Sequence, residues 1–378
     1  MYRYRLMAPG PTPVPESVLT KMALPILHHR TPAFEAVVEE VRKGLKWVFQ
    51  TKSEVLILAA SGTGAMEGAV TNLMRKSDVA LCINGGKFGE RWGKICKGHG
   101  LAYDEIKVEW GQPVKIEEVA EHLKNKKYRA IFATASETST AAYHPIKELA
   151  ALVKNDPETA LVVDGITAVG VHDIPTDEWG IDVLVSGSQK AFMLPPGLAF
   201  ASLSDKALKM AQESDLPKFY FNFLKEHEAI QKNTTAFTSP VSLISGLQEV
   251  LRLFKEEGLS NIFERHTRLA KAVREALKAM GLKLLAEEAP SNAVTAALTP
   301  EGINAGDVVK ILKNDFNMTI AGGQDHLKGK IFRIGHIGYY DPMDMISALA
   351  AVESALVKLG VNLERGKSLG VALDILTK

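Results

Sequence analysis

The sequence has only two cysteines among its 378 residues and almost no net charge. Two cysteines are too few for a disulfide framework, and Cys82 and Cys96 lack the spacing of a metal-binding motif, so we expect both to be packing residues. The 45 basic and 44 acidic residues nearly cancel, and no cluster of Lys and Arg with interleaved aromatics occurs. We therefore expect neither a nucleic-acid partner nor a membrane-binding surface.

Long hydrophobic runs are also missing. No stretch reaches the roughly 18 consecutive apolar residues of a membrane span, and residues 1–11 lack the apolar core of a signal peptide. These absences predict a cytoplasmic protein. With 46% hydrophobic and 24% charged residues the composition is close to the globular average, and the chain is long enough for two domains.

What the sequence does contain is an alternation of short apolar strands with helical segments, from residue 55 to residue 203. This alternation predicts an α/β fold whose large domain has a mostly parallel, doubly wound sheet with helices on both faces. Near residue 257 the pattern changes to that of a smaller α+β domain. We predict an N-terminal arm over residues 1–16, a large domain over residues 17–257 and a small C-terminal domain over residues 258–378.

Lys190 has an unusual setting for a lysine. It follows the small residues of segment 186–188, between two apolar strands, and residues 191–197 carry no charge. An ammonium group in such surroundings is partly desolvated, so its pKa falls and its free amine becomes a nucleophile. The chemistry that most often requires such an amine is a Schiff base with a carbonyl cofactor.

Asp164 is the candidate partner of this lysine. A pyridine-ring cofactor needs a carboxylate beside its ring nitrogen, and Asp164 closes the apolar strand of residues 160–164. An aspartate at the end of a strand is more often a helix cap or a turn residue. The inference therefore depends on its combination with Lys190.

A glycine-containing turn joins the strand of residues 55–60 to a helix, and it consists of Ser61, Gly62, Thr63 and Gly64. Free backbone N–H groups and the positive end of the helix dipole make such a turn a phosphate-binding site. The alternative is a dinucleotide-binding fingerprint, but Gly62, Gly64 and Gly68 do not have its spacing, and the next strand ends without a ribose-binding acid. That alternative also leaves Lys190 without a role.

Three other residues are candidates, each with an ordinary structural alternative. Phe88, at the start of a helix, either stacks on an aromatic cofactor or packs beneath the helix. Thr138, in a hydroxyl-rich segment, either bonds a cofactor ring oxygen or caps the next element. Arg333, inside an apolar strand, binds either a substrate carboxylate or an internal acid.

Several segments of the chain, taken together, resemble a known family. In chain order they are residues 7–12, 61–67, 84–89, 137–140, 163–165, 186–190 and 332–335. The set resembles the class V pyridoxal-phosphate aminotransferases of fold type I, and within them the alanine–glyoxylate and serine–glyoxylate (serine–pyruvate) group. The resemblance extends over nearly the whole chain.

The resemblance implies a role for each candidate around the cofactor ring. Lys190 is then the Schiff-base lysine and proton shuttle, and Asp164 the partner of the ring nitrogen. Phe88 stacks on the ring, and Thr138 bonds its oxygen side.

It also implies how the phosphate and the substrate are held. The phosphate is bound by Ser61, Gly62, Thr63 and Gln189, whereas the substrate carboxylate is bound by Arg333, with Gly10 in the substrate site. Members of the family are homodimers with active sites at the subunit interface. Thr238 matches the residue through which the neighbouring subunit helps to bind the phosphate.

The chain departs from the family pattern at two positions. Phe88 stands where relatives often have tryptophan, and its smaller ring offers less contact area to a cofactor. Thr235 stands where some relatives have tyrosine, so one phosphate contact across the subunit interface is in doubt.

These inferences predict a ping-pong transaminase that moves an amino group from alanine or serine to glyoxylate or pyruvate. Arg333 alone is placed for a carboxylate, which favours monocarboxylic substrates over dicarboxylates and leaves an aminophosphonate open. One alternative is a pyridoxal-phosphate lyase or cysteine desulfurase of the same fold, which would need a mobile catalytic cysteine or different active-site residues. Two others are a nicotinamide-dependent oxidoreductase and a non-catalytic subunit that retains the cofactor.

Overall fold

Strands and helices alternate along the computed structural model, which describes residues 3–377. The strands are β1 (Arg5–Leu6), β2 (Val55–Leu58), β3 (Val79–Asn84), β4 (Ala102–Lys107), β5 (Ala130–Thr134), β6 (Ser136–Glu137), β7 (Ala142–Tyr143), β8 (Ala160–Asp164), β9 (Val183–Gly187), β10 (Ala199–Leu203), β11 (Val294–Leu298), β12 (Met318–Thr319), β13 (Ala321–Gly322) and β14 (Ile331–Gly335).

The helices are α1 (Glu16–Met22), α2 (Pro32–Val48), α3 (Gly62–Leu73), α4 (Gly89–Gly98), α5 (Ile116–Asn125), α6 (Ile146–Val153), α7 (Thr176–Trp179), α8 (Asp205–Glu213), α9 (Phe223–Ile230), α10 (Val241–Glu257), α11 (Leu259–Ala279), α12 (Ala305–Phe316), α13 (Pro342–Lys358) and α14 (Lys367–Leu376). A short 3-10 helix spans Asp325–Leu327. No helix within residues 3–377 is long and apolar enough to cross a membrane.

The large sheet has seven strands in the order β2-β10-β9-β8-β5-β3-β4. The pairs β3–β4, β3–β5, β5–β8 and β8–β9 are parallel, whereas β10 is antiparallel to both β2 and β9. Every residue of β2, β5, β8, β9 and β10 is buried. Strands buried at every position are covered on both faces, so the predicted α/β fold with a mostly parallel sheet is confirmed.

Sequence patterns explain individual helices. Helix α2 begins with Pro32, whose fixed φ suits the first turn, and its apolar residues recur every three or four positions on the buried face, as in Phe34, Val38 and Val41. Helix α13 begins with a capping box in which Asp341 and Asp344 satisfy each other's backbone N–H groups.

The buried apolar residues among residues 3–377 form two large clusters and two small ones. The largest one contains buried side chains from Val18 to Ile262, and the second contains residues from Leu269 to Leu376 together with Met7. Strand β1 pairs in parallel with β12, so the N-terminal segment is bound to the second cluster. Helices α10 and α11 meet at Gly258, whose φ of 84° lies in the left-handed region that glycine favours.

The parallel strands bring five loops to one edge of the large sheet. Ser61, Phe88 and Lys190 lie in the loops after β2, β3 and β9, Thr138 follows the short β6 beyond β5, and Asp164 is the last residue of β8. Because the carboxyl ends of parallel strands share an edge, these loops converge there.

Candidate active site

Lys190 lies in a tight loop after β9. The Ser188 hydroxyl donates to the Pro195 carbonyl (2.7 Å) and accepts from the Leu198 N–H (3.1 Å), which closes this loop. The Lys190 ammonium donates to the Pro9 carbonyl across 2.9 Å. The lysine is therefore held between the sheet and the N-terminal segment.

Burial shifts Lys190 toward its neutral amine, although the ammonium still predominates below about pH 8. Burial, the largest cause, lowers its pKa to about 8; attraction to Asp164 acts in the opposite direction, and repulsion by Arg333 and Arg91 adds to the effect of burial. A nucleophilic lysine needs such a lowered pKa.

Gly10 lies directly against Lys190. A Cβ atom added to Gly10 would overlap the Lys190 Nζ, and the glycine has a φ of 145°, a conformation that residues with a side chain rarely adopt. Only glycine fits beside the lysine here.

Asp164 is the last residue of β8 and is only 3% exposed. Its Oδ1 accepts a hydrogen bond from the Ile166 N–H (2.9 Å). Burial, above all, raises the pKa of Asp164 to about 7; Glu137 raises it further, whereas Arg91 and Lys190 lower it. Such a carboxyl group gains most from a cationic partner, which a protonated ring nitrogen would supply.

The turn before α3 is built for close approach of an anion. Gly62 begins the helix, and the Ser61 side chain makes no capping hydrogen bond. A side chain on Gly62 would overlap Ile166. The N–H groups of Gly62 and Thr63 make no hydrogen bond within residues 3–377 and remain available to a ligand, whereas the Gly64 N–H donates to the Ser61 carbonyl (2.8 Å). The Gln189 carboxamide oxygen is buried without a hydrogen-bond partner among residues 3–377, and as an acceptor it needs a donor such as water; only the NH2 group of this side chain could donate to an anion.

Glu137, which has no role assigned from the sequence, organises the start of α4. Its fully buried carboxylate accepts from the N–H groups of Gly89 (2.8 Å) and Phe88 (3.2 Å) and from the hydroxyl of Ser139 (2.5 Å). Burial raises the pKa of Glu137, and these hydrogen bonds oppose the increase. The carboxylate thus fixes the backbone from which the Phe88 ring projects.

Arg333 and Thr138 meet at the other end of the site. Arg333 is 7% exposed, and it donates to the Gly322 carbonyl through Nε (3.0 Å) and Nη2 (2.8 Å) and to the Thr138 carbonyl through Nη1 (2.7 Å). These bonds use three of the five N–H groups of an arginine and leave one on each terminal nitrogen, which suits a carboxylate. Burial lowers the pKa of Arg333 to about 10, and Glu137 opposes this shift.

The Thr138 side chain is also engaged. Its hydroxyl lies 3.0 Å from that of Thr167, which itself donates to the Ser136 carbonyl (2.9 Å). Thr138 is therefore the donor to Thr167, and its oxygen can still accept a bond.

Thr238 lies elsewhere on the same chain. It is exposed beside a surface depression lined by Tyr220, Phe221 and Phe237, and neither Lys190 nor Asp164 is part of that lining. The neighbouring Thr235 hydroxyl donates to the Phe237 carbonyl (2.8 Å) within its own loop. Within residues 3–377 no hydrogen bond joins Thr238 to Lys190, and this depression does not include the lysine.

Comparison with known proteins decides the family. Residues 6–336 match the sequence model of the family described as Aminotransferase class-V. This chain is a class V aminotransferase. Members of this family generally depend on pyridoxal phosphate, and the resemblance inferred from the sequence motifs is confirmed.

The similar proteins carry different names. A protein named soluble hydrogenase, small subunit, of Synechococcus sp. strain PCC 6716 is 42% identical over 98% of both chains. An L-aspartate–glyoxylate aminotransferase of Paracoccus denitrificans is 34% identical over 98% of this chain and 95% of its own length. The crystal structure of an alanine–glyoxylate aminotransferase from Nostoc sp. has a TM-score of 0.90 and 29% identity over 94% of this chain and 96% of that one.

In this class V aminotransferase the two cysteines are buried within regular elements. Cys82 lies in β3 and Cys96 in α4, and neither is exposed to solvent. Both act as packing residues in this structure.

The site also contains a cation that sequence reasoning missed. The Arg91 guanidinium donates a hydrogen bond to the Thr63 hydroxyl (3.0 Å).

Proposed function

We propose that this protein is a pyridoxal-phosphate-dependent transaminase that moves an amino group from alanine or serine to glyoxylate or pyruvate. The observation that carries the proposal is the buried Lys190 amine, with a pKa of about 8, electrostatically coupled to the Asp164 carboxyl, with a pKa of about 7. The two residues lie at one edge of the sheet, Asp164 at the end of β8 and Lys190 in the loop after β9.

The residues present fit the cofactor. When bound, pyridoxal phosphate supplies an aldehyde that condenses with amines and a ring that withdraws electrons from the substrate Cα. Lys190 would hold the aldehyde carbon and Asp164 would keep the ring nitrogen protonated. The N-terminus of α3 with Thr63 would hold the phosphate, and Phe88 would cover the ring.

Lys190 also moves the proton. Once its amine is free, the Nζ can accept the Cα proton of the amino donor and pass it to the cofactor carbon that receives the amino group. Its pKa of about 8 suits both proton transfers. The Pro9 carbonyl, which accepts from this nitrogen, orients it. The donor is converted in the first half of a ping-pong cycle and the acceptor in the second half.

Arg333 selects the substrate. Its two free N–H groups form a fork for one carboxylate, and the carbonyls of Gly322 and Thr138 hold the guanidinium in place. A single fork favours monocarboxylic partners. Glyoxylate is the acceptor named in the two aminotransferases described above, whereas their donors differ; aspartate is therefore the competing donor.

We also propose a homodimer. Leu24, Ile26 and Leu27 are exposed between α1 and α2, with Ile26 71% exposed. Neighbouring apolar side chains left in water favour association, and a second subunit would bring its Thr238 loop to the phosphate site. Sedimentation should show a dimer for the natural protein and a monomer for Ile26→Asp; a monomeric natural protein would contradict the proposal.

Two other functions are disfavoured by the cysteines. A desulfurase needs a mobile cysteine, but Cys82 and Cys96 are buried in β3 and α4. The iron–sulfur clusters that carry electrons are held by four cysteine thiolates, and this sequence has two. A hydrogenase centre of that kind is therefore not built by this chain.

Amino transfer itself is the decisive test. The purified protein, loaded with pyridoxal phosphate, is supplied with L-alanine, L-serine or L-aspartate as donor and glyoxylate or pyruvate as acceptor, and both products are quantified. We expect glycine and pyruvate from L-alanine and glyoxylate, and no product with Lys190→Ala. A protein that binds the cofactor but transfers no amino group from any donor would be a non-catalytic subunit. A strong preference for L-aspartate would overturn the assigned donor class only.

A further inference from the structure

The proposed phosphate site lacks an assigned positive charge. A phosphate monoester carries about −1.5 to −2 charges at neutral pH, and the helix dipole of α3 supplies only about half a positive charge. The residues that the sequence motifs assign to the phosphate are all neutral, namely Ser61, Gly62, Thr63, Gln189 and Thr238. A further cation is needed for charge balance.

Arg91 is positioned to be that cation. Its Nη1 donates to the Thr63 hydroxyl across 3.0 Å, at the first turn of α3. No carboxylate among residues 3–377 lies within ion-pair distance of its guanidinium, whereas five other arginines are ion-paired, namely Arg42, Arg75, Arg129, Arg252 and Arg265. Its charge also acts on both Asp164 and Lys190, which places it within the electrostatic field of the site.

We propose that Arg91 is the cationic component of the phosphate-binding site: it supplies positive charge beside the N-terminus of α3 and orients the Thr63 hydroxyl toward the phosphate. This inference rests on the proposed use of pyridoxal phosphate. Because Thr63 accepts a hydrogen bond from Arg91, the hydrogen of its own hydroxyl is free to donate to a phosphate oxygen.

Arg91 also connects the phosphate site to the ring site. Its guanidinium carbon lies 4.9 Å from the centroid of the Phe88 ring, a cation–π contact on one face of that ring. Phe88 would then cover the cofactor with its opposite face. A variant test must therefore separate an effect on the phosphate from an effect through Phe88.

Two forms of the ligand make this separation. Affinities of the cofactor-free protein for pyridoxal phosphate and for pyridoxal, which lacks the phosphate, are measured by titration. Arg91→Met keeps much of the side-chain length and contact with Phe88 but removes the charge and the hydrogen-bond donors. We expect it to weaken pyridoxal phosphate binding about 10- to 100-fold, as for loss of a charged hydrogen bond, and to leave pyridoxal binding nearly unchanged.

Inorganic phosphate gives a second readout without the cofactor. It should raise the melting temperature of the cofactor-free natural protein and have little effect on Arg91→Met. Lys94→Met is the matched control, since Lys94 is on the same helix, is exposed and pairs with Glu90 (2.9 Å); it should behave like the natural protein. Arg91→Lys retains the charge and should lose less pyridoxal phosphate affinity than Arg91→Met. It also provides a variant to measure if Arg91→Met does not fold.

Each outcome has one reading. Equal losses for pyridoxal phosphate and pyridoxal would show that Arg91 acts through Phe88, and unchanged affinities would remove it from the site; either result overturns the inference while leaving the proposed function intact. If the natural protein does not bind pyridoxal phosphate, the proposed function itself fails.

Thr63→Val, combined with Arg91→Met, should add little to the loss of pyridoxal phosphate affinity caused by Arg91→Met alone, because the two side chains act as one unit.

Discussion

The Nζ of Lys190 and the carbonyl oxygen of Pro9 are joined by a 2.9 Å hydrogen bond. Pro9 belongs to the N-terminal segment, whose Met7 is buried in the second apolar cluster, whereas Lys190 belongs to the large sheet. Thr12 adds a second tie, because its hydroxyl donates to the Lys190 carbonyl (3.0 Å). The large sheet and the N-terminal segment therefore both position Lys190. A small displacement of the N-terminal segment would displace the lysine amine as well.

Gly10→Ala should therefore inactivate the enzyme. The new methyl group overlaps the Lys190 Nζ, and displacement of a reacting group by about 1 Å can lower turnover about 100-fold. Transaminase turnover and the melting temperature are measured together. Gly98→Ala is the control, since nothing lies within 4 Å of a Cβ added there, and it should keep full activity. Normal turnover in Gly10→Ala would show that the lysine does not depend on this contact.

The reactivity of Lys190 in the cofactor-free protein should have a midpoint near pH 8. Burial lowers its pKa to about 8, so the free amine predominates above that pH. Pulsed reductive methylation with isotopic formaldehyde, followed by peptide mapping, measures the methylation of Lys190 at each pH. The exposed Lys127 in the same digest shows how the reactivity of the reagent itself changes with pH. A midpoint near the ordinary lysine pKa of 10.5 would contradict the lowered value.

Sequence reasoning identified the site residues that carry a charge inside apolar segments. Lys190, Asp164 and Arg333 each interrupt a hydrophobic stretch, and a buried charge requires a partner, which makes such residues conspicuous. Arg91 has no such signal, because it lies in a polar stretch of α4 where a charge is typical of a solvated surface. Its contact with Thr63 depends on how α3 and α4 are placed.

Glu137 and the edge of the sheet show what the sequence pattern could not reveal. The partners of Glu137 are backbone N–H groups at residues 88 and 89, and backbone groups have no sequence signature. Strand β4 lies at the edge of the sheet and contains Asp104, Glu105 and Lys107, so no continuous apolar run marks it in the sequence.

Arg333→Lys should impair recognition of the substrate carboxylate rather than the chemistry at the amine. A lysine cannot form the planar fork, and loss of a charged bidentate contact should raise the KM for L-alanine about 10- to 100-fold. Ethylamine has an amino group but no carboxylate, so its slow reaction with the cofactor-loaded enzyme should change little. Arg252→Lys, at an exposed position of α10, is the control. Equal effects on both amines would mean that Arg333 supports the fold of the site instead of binding substrate.

Asp164→Asn should change both turnover and the pH dependence of stability. Without a carboxylate beside the ring nitrogen, turnover should fall about 100-fold or more. In the cofactor-free protein the pKa of Asp164 is raised from 3.8 to about 7. Between these values the folded state binds more protons than the unfolded state, so the contribution of Asp164 to the free energy of unfolding decreases as pH rises.

The difference between the natural protein and Asp164→Asn isolates this contribution from that of Glu137, whose raised pKa acts in the same direction. Urea unfolding of both cofactor-free proteins at pH values between 4 and 8 measures it. The free energy of unfolding of the natural protein should fall relative to the variant as pH rises through that range, and Asp374→Asn, exposed on α14, should follow the natural protein. If the difference in free energy of unfolding stays constant with pH, the folded state does not raise the pKa of Asp164. Asp164 would then be ionised at low pH even without the cofactor, and it would not need the ring nitrogen to stay charged.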